Sequence, residues 1–165
     1  MTKRVLVAGI GNIFNSDDGF GCEVARRLVE RGVPDDVAAA DYGIRGIHLA
    51  YELLEGYEAL VLVDATPQGG EPGTLYLIEI GEDEVASGPA DAHSMDPQQV
   101  IAQVRGLGRT DLRIVLVGCE PVSLEEEIGL SPVVAAAVDG AVDAVLELVS
   151  DPGRLRPMAS AASPG

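Results

Sequence analysis

Aromatic side chains are scarce in this sequence. They make up 4% of the 165 residues, and tryptophan is absent. The interior must therefore be filled by alanine, valine and leucine, which favours an α/β protein over an aromatic-rich sandwich. Because 47% of the residues are hydrophobic, the chain has enough apolar material for the core of one globular domain.

Basic residues are also few. The chain carries 11 of them against 27 acidic residues, a formal charge of −16, and Lys3 is the single lysine. A field of this sign repels nucleic acid and anionic membranes, and it attracts cations and basic partners. We therefore expect no nucleic acid and no membrane surface among the partners.

Cysteine and long apolar runs are limited as well. Cys22 and Cys119 are far apart and show no CxxC spacing, which excludes a disulfide scaffold and favours a reducing cytoplasm. No stretch approaches the roughly 20 apolar residues of a membrane span. The opening residues resemble a signal peptide, but their apolar run is short and no small-residue cleavage site follows it.

The sequence does contain a regular alternation of strand-like and helix-like segments. Strands are predicted at 4–10, 36–43, 59–65, 74–80 and 112–119, and helices at 20–32, 46–56, 96–108 and 131–149. This order predicts an α/β domain over residues 1–150, with a mainly parallel sheet covered by helices on both faces, and a flexible tail over 151–165. About eight residues join strands 59–65 and 74–80, too few for a parallel crossover, so 74–80 is expected to be antiparallel or at an edge.

Two helices carry more specific expectations. In the 46–56 helix, Ile47, Tyr51 and Leu54 are spaced to form one apolar face, which leaves His48 toward solvent. At the start of the 20–32 helix, Asp17 is placed to act as the N-cap, which leaves Asp18 free to point elsewhere.

Acidic side chains follow several of the predicted parallel strands. Ligands of open α/β sheets bind outside the carboxyl ends of the strands, so these positions mark the candidate site. The residues that the strands and their loops deliver there are Asp17, Asp18, Asp41, Asp64, Thr66, Cys119 and Glu120, with His93 from the acidic loop at 81–95. Arg45 is the one basic residue that we place near them.

The stretch "GIGNIFNSDDGFG" after the first strand looks like a phosphate-binding loop. A dinucleotide fingerprint needs a third glycine where Phe14 stands, and two aspartates follow where a pyrophosphate would lie. A P-loop needs a G-K-[ST] that the chain lacks. A phospho-acceptor receiver domain would need a lysine after the last parallel strand, and "VGCEP" has none.

A metal site is the fourth interpretation of the acidic edge. A carboxylate of the first loop, Asp64 and His93 form an oxygen, oxygen and nitrogen ligand set that leaves coordination positions open for a substrate. Such ligands suit zinc, nickel, cobalt or manganese without selecting among them. Simpler roles stay open at this point, because His93 could be a solvated loop residue and Asp64 could stabilise a turn.

Five motifs in a fixed order make the family recognisable. They are "GIGNIFNSDDGFG", "VDA" at 63–65, "GEPGT" at 70–74, "HSM" at 93–95 and "GLSPVVAAAV" at 129–138. Together they resemble the nickel-iron hydrogenase maturation endopeptidases, over about residues 5–149. The resemblance implies a mostly parallel, twisted five-stranded sheet. It also implies that Asp18, Asp64 and His93 contact the metal, with Asp41 nearby in a turn that departs from the family's usual D-G-G.

The resemblance implies an activity as well. Members clip a C-terminal extension from the hydrogenase large-subunit precursor after nickel insertion, and the nickel is supplied by that precursor rather than by a tightly bound cofactor of the enzyme. We expect a monomer that acts without a nucleophilic serine or cysteine, with Cys119 as the alternative nucleophile. A non-catalytic, metal-sensing or chaperone-like module that docks a metalloprotein precursor is the alternative function. A small-molecule binder with a Rossmann-like sheet is a poorer third option.

Overall fold

The computed structural model describes residues 4–80, 97–106, 108 and 112–151. Within them lie five strands and four α-helices. The strands are β1 (Val5–Ile10), β2 (Val37–Gly43), β3 (Ala59–Ala65), β4 (Leu75–Ile80) and β5 (Arg113–Cys119). The helices are α1 (Phe20–Arg31), α2 (Gly46–Glu52), α3 (Pro97–Gly106) and α4 (Pro132–Ser150), and short 3-10 turns cover Ser16–Gly19 and Leu53–Glu55. The tail predicted at 151–165 lies outside the described residues except for Asp151, so it stays a prediction.

The five strands form one mixed sheet in the order β2-β1-β3-β5-β4. The neighbours among β2, β1, β3 and β5 are parallel, whereas β4 runs antiparallel to β5 from Leu75 opposite Cys119 to Ile80 opposite Ile114. The prediction of an antiparallel edge strand at 74–80 is therefore confirmed. The physical reason is the short connection, which allows the chain only to turn back beside β5.

Helices cover both faces of the sheet, as predicted. Alternate residues of the central strands separate into two cores: Val61 and Val63 of β3 pack with α1 and α4, while Leu60 and Leu62 pack on the side of α2 and α3. All seven residues of β3 are buried, because this strand lies at the centre of the sheet with apolar layers above and below it. Burial of one such valine or leucine contributes about 1.5–3 kcal/mol to folding.

The predicted apolar face of α2 is wrong at Tyr51 and Leu54, whereas the side chain of its third member, Ile47, lies outside what the structure describes. Tyr51 and Leu54 are exposed, and the side chains that reach the core are Leu49, Ala50 and Leu53. The helix carries two apolar stripes, and only its packing against the sheet determines which of them is buried. His48 is exposed, as expected. The α-helix ends at Glu52, and the last predicted turn is a 3-10 turn.

The part of the chain that the structure describes contains no helix long and apolar enough to cross a bilayer.

Candidate functional site

The site lies at the edge of the sheet where β1, β2, β3 and β5 end. The backbone there makes a close approach at Gly11 that requires a glycine. Gly11, the first residue after β1, has a φ of +128°, a conformation that side chains other than glycine rarely adopt. A Cβ at this position would lie 2.0 Å from the carbonyl oxygen of Asp18 and 3.1 Å from Oδ1 of Asp64. The missing side chain thus allows the backbone of the first loop and the carboxylate of β3 to meet above the end of β1.

Asp18 is the half-buried acid of this loop. Its Oδ2 accepts a hydrogen bond of 2.8 Å from the backbone N–H of Asn12. Burial raises the pKa of the Asp18 carboxyl, and the hydrogen bond from Asn12 opposes that shift in part. Among the described residues no basic side chain pairs with Asp18. A carboxylate that has lost hydration in this way is suited to meet a cation from outside.

Asp17 has a different role from the one that the sequence predicted. It does not cap α1, whose N-cap is Gly19 with no side-chain hydrogen bond. Its fully buried carboxylate instead accepts hydrogen bonds from the N–H groups of Val122, Ser123 and Ser131, at 2.8, 3.2 and 2.7 Å. The hydroxyl of Ser131 donates to it as well. Asp17 therefore ties the loop after β1 to the loop after β5.

Asp41 and Asp64 flank the end of β1 on its two neighbouring strands. Asp41 lies opposite Gly9 in the β1–β2 pairing, and Asp64 is one residue beyond Val63, which pairs with Gly9 from the other side. Asp64 is buried, and its Oδ1 accepts a 2.8 Å hydrogen bond from the N–H of Ala65. Asp41 is exposed, and its Oδ1 accepts one of 2.8 Å from the N–H of Gly43.

Arg45 helps to shape the end of β2. Its Nη2 donates to the carbonyl oxygen of Asp41 at 2.7 Å, and its Nε donates to that of Tyr42 at 3.2 Å. The guanidinium therefore binds backbone carbonyls of the turn.

Cys22 of α1 lies beneath the acids, although its sequence context gives no sign of a place at the site. The thiol is buried, and its Sγ donates to the carbonyl oxygen of Gly11 at 3.5 Å. Burial raises its pKa most, and the charges of Asp41, Asp64 and Asp18 raise it further. Cys22 and Asp41 also line the same groove, and Gly11, whose carbonyl accepts from the thiol, lies beside Oδ1 of Asp64.

Cys119 and Glu120 end the last parallel strand. Burial, together with the charges of Asp17 and Glu120, raises the pKa of the fully buried Cys119 thiol to about 11, which does not favour a nucleophile. Glu120 holds the loop that follows β3, because its Oε1 accepts hydrogen bonds from the N–H groups of Gln68 and Gly70 and from the hydroxyl of Tyr76. Thr66, at the start of that loop, is buried, and its Oγ1 donates to the carbonyl oxygen of Asp64 at 3.3 Å.

The structure thus brings together Asp18, Asp41 and Asp64 from three of the predicted segments. His93 lies outside the described residues, so its place beside them stays a prediction. Among the described residues, no group of three histidine, cysteine or acidic side chains has the geometry to hold a metal ion by itself. The roles of Asp17 and Cys22 were missed because they depend on contacts with distant segments, for which the sequence offers no local signal.

These features define a class of protein: a five-stranded, mostly parallel α/β domain with a carboxylate cluster, rather than a phosphate loop, at the end of its first strand. The family model of the hydrogenase maturation proteases matches residues 22–148. The chain therefore belongs to the hydrogenase maturation protease family.

Individual relatives agree with this assignment. The hydrogenase expression/formation protein HupD of Rhodobacter capsulatus is 39% identical over 153 residues, which cover 88% of this chain and 71% of the relative. The solved structure of the hydrogenase maturating endopeptidase HybD from Escherichia coli superposes with a TM-score of 0.74 at 30% identity, covering 93% of this chain and 97% of that one. A hydrogenase 2 maturation peptidase from a Thaumarchaeota archaeon gives 0.70 at 32% identity, with 90% and 99% covered.

Proposed function

We propose that this protein is the endopeptidase that removes the C-terminal extension of a nickel-iron hydrogenase large-subunit precursor after nickel has been inserted. Membership of the hydrogenase maturation protease family supports the reaction class. The observation that carries the proposal is the meeting of Asp18, Asp41 and Asp64 around Gly11 and Cys22 at one edge of the sheet. Such a cluster of acids attracts a cation and repels the phosphates that similar folds bind.

In this proposal the nickel arrives as part of the substrate. Asp18 and Asp64 offer carboxylate oxygens to its open coordination positions, and His93 offers an imidazole nitrogen, a ligand set that nickel accepts. Asp41 adds negative charge from the neighbouring strand. Binding of the metal fixes the scissile segment against the acidic edge, where the carbonyl or an attacking water is polarised.

The state of the two thiols supports a mechanism without a cysteine nucleophile. Cys22 and Cys119 are both buried, and their pKa values are raised, so the thiolate is a minor form at neutral pH. The carboxylates of Asp18, Asp41 and Asp64 are the described groups at this edge that suit a metal-dependent cleavage.

The test compares nickel-loaded and nickel-free precursor, with the C-terminal cleavage followed by mass spectrometry. We expect cleavage of the nickel-loaded form alone. Asp18→Asn and His93→Gln are expected to abolish it while they leave the circular dichroism spectrum unchanged. Asp143→Asn is the matched control, because Asp143 is an exposed acid of α4 that contacts Arg31, and it should process normally.

Two results would contradict the proposal at different points. Equal cleavage of the two precursor forms would exclude nickel as the recognition element. Binding of the precursor with less than one cleavage per protein molecule would favour the alternative, a non-catalytic module that docks a metalloprotein precursor.

A further inference from the structure

Two loops beside the acidic cluster are hydrogen-bonded to each other. The N–H of Ser16 donates to the carbonyl oxygen of Glu127 at 2.7 Å, and the N–H of Glu127 donates to that of Phe14 at 2.9 Å. The hydroxyl of Ser16 adds a bond of 2.7 Å to the carbonyl oxygen of Glu125. The segments 12–16 and 121–130 therefore form one structural unit, although more than a hundred residues separate them in the chain.

Large apolar side chains of this unit are exposed to solvent. Ile13 is 51% exposed, Phe14 56% and Ile128 78%. We call the exposed side chains of the unit the paired-loop surface; it comprises Ile13, Phe14, Val122, Leu124, Ile128 and the three acids Glu125, Glu126 and Glu127. Exposed apolar residues concentrated on one unit are typical of an interaction site, whereas scattered ones are not.

The surface is continuous with the candidate active site. Ile13 and Ile128 line a groove of about 500 Å³ whose other lining residues include Cys22 and Asp41. A chain that covers the two isoleucines therefore lies beside the acidic cluster.

The paired loops are organised before any partner binds. The buried carboxylate of Asp17 fixes the backbone of Val122 and Ser123. Ser16 has a φ of +52°, a conformation that is uncommon for serine, and its bonds to the second loop hold it there. Preorganisation of this kind lowers the entropy that is lost on binding.

The charge of the surface selects the partner. Glu125, Glu126 and Glu127 are exposed, and within the ranges that the structure describes none of them forms an ion pair. The cations of the groove are already paired, since Arg26 contacts Glu23 and Arg27 contacts Glu23 and Asp139. The charge presented to a partner is therefore negative, which disfavours a second copy of this chain with its own formal charge of −16.

We propose that the paired-loop surface docks the protein substrate, at a region where apolar side chains are bordered by lysine or arginine. This inference rests on the proposed function, which it extends by naming the chemistry of the partner's contact. The apolar side chains of the surface give affinity, and the three glutamates give orientation and a faster encounter.

The experiment measures binding and cleavage separately on the same samples. Binding of nickel-loaded large-subunit precursor from the same organism is measured by calorimetry at two salt concentrations, and cleavage is followed by mass spectrometry. We expect the double variant Ile13→Ser/Ile128→Ser to raise the Kd about tenfold. The triple variant Glu125→Gln/Glu126→Gln/Glu127→Gln should raise the Kd at low salt and make binding less sensitive to salt.

The control variants carry the same types of substitution at exposed positions outside the paired-loop surface. Glu55→Gln/Glu58→Gln/Glu147→Gln removes the same charge from exposed sites, and Val29→Ser removes an apolar side chain that is 59% exposed on α1. Both should keep the Kd within about twofold of the original protein. Urea midpoints equal to that of the original protein establish that every variant is folded.

The outcomes distinguish the docking proposal from the proposed function. If the precursor is cleaved and the paired-loop variants bind it as the controls do, the docking proposal is overturned while the proposed function stands. If the variants weaken binding but the unchanged protein never cleaves, docking stands and the endopeptidase assignment falls. Failure of the unchanged protein to bind the precursor overturns both.

Discussion

Asp17 and Asp18 are adjacent in the chain and are expected to respond very differently to the same substitution. The carboxylate of Asp17 is fully buried and accepts hydrogen bonds from three N–H groups and one hydroxyl. In Asp17→Asn one carboxylate oxygen is replaced by an NH₂ group, which faces N–H and O–H donors, so one or two of these hydrogen bonds are lost. Each lost bond to a carboxylate costs about 1.5–3 kcal/mol, which gives a destabilisation of about 1.5–6 kcal/mol.

Asp18→Asn is the matched control. Asp18 is half-buried and accepts one described hydrogen bond, from the N–H of Asn12, which an asparagine oxygen can also accept. Burial already raises the pKa of this carboxyl, so loss of its charge removes little that favours the folded state. We expect a change of at most about 1 kcal/mol.

Urea unfolding at neutral pH measures both variants. A loss of about 3 kcal/mol shifts the midpoint by about 1–2 M if the slope stays near 2 kcal/mol/M. The slope itself should not change, because the surface exposed on unfolding is the same. A loss below about 0.5 kcal/mol for Asp17→Asn, or a loss no larger than that of Asp18→Asn, would refute the assignment of Asp17 as the residue that joins the two loops.

Three further predictions concern the two buried thiols, the carboxylate of Glu120 and the close contact at Gly21. Cys22 and Cys119 should react with iodoacetamide at pH 8 at least about a hundredfold more slowly in the folded protein than in urea, because both are buried with raised pKa values; equal rates would show that a thiol is accessible. The hydroxyl of Tyr76 and the N–H groups of the 68–70 loop lower the pKa of Glu120, so its contribution to stability is present above the unfolded-state pKa of about 4.3 and is lost as pH falls through the folded-state value. Urea midpoints should therefore show the largest deficit of Glu120→Gln near pH 7 and a smaller one near pH 3, and a deficit that grows on acidification would contradict this. Gly21→Ala would place a Cβ 2.0 Å from the carbonyl oxygen of Val63 and should cost about 3 kcal/mol or more, whereas Gly106→Ala, which meets nothing within 4 Å, should stay within about 1 kcal/mol of the original.

Most of the fold could be predicted because it depends on local patterns. The buried strands 5–10, 59–65 and 113–119 are short β-branched runs, and α1 and α4 carry apolar residues at helical spacing. The direction of β4 followed from the length of one loop. The face of α2 could not be decided in this way, because two apolar stripes competed and only packing against the sheet selects one.

The candidate site also combines features that local sequence patterns predict with features that depend on long-range contacts. The acidic edge was predictable from the sequence, since Asp41 and Asp64 close strand-like runs and Asp18 lies in the loop after the first one, and the strand-end rule collects them at one edge. The binding of Asp17 to the backbone of the 122–131 region, and the approach of Asp18, Asp64 and Cys22 to Gly11, follow from the folded structure alone. Those contacts join segments far apart in the chain, and no local propensity encodes which distant N–H a buried carboxylate will meet.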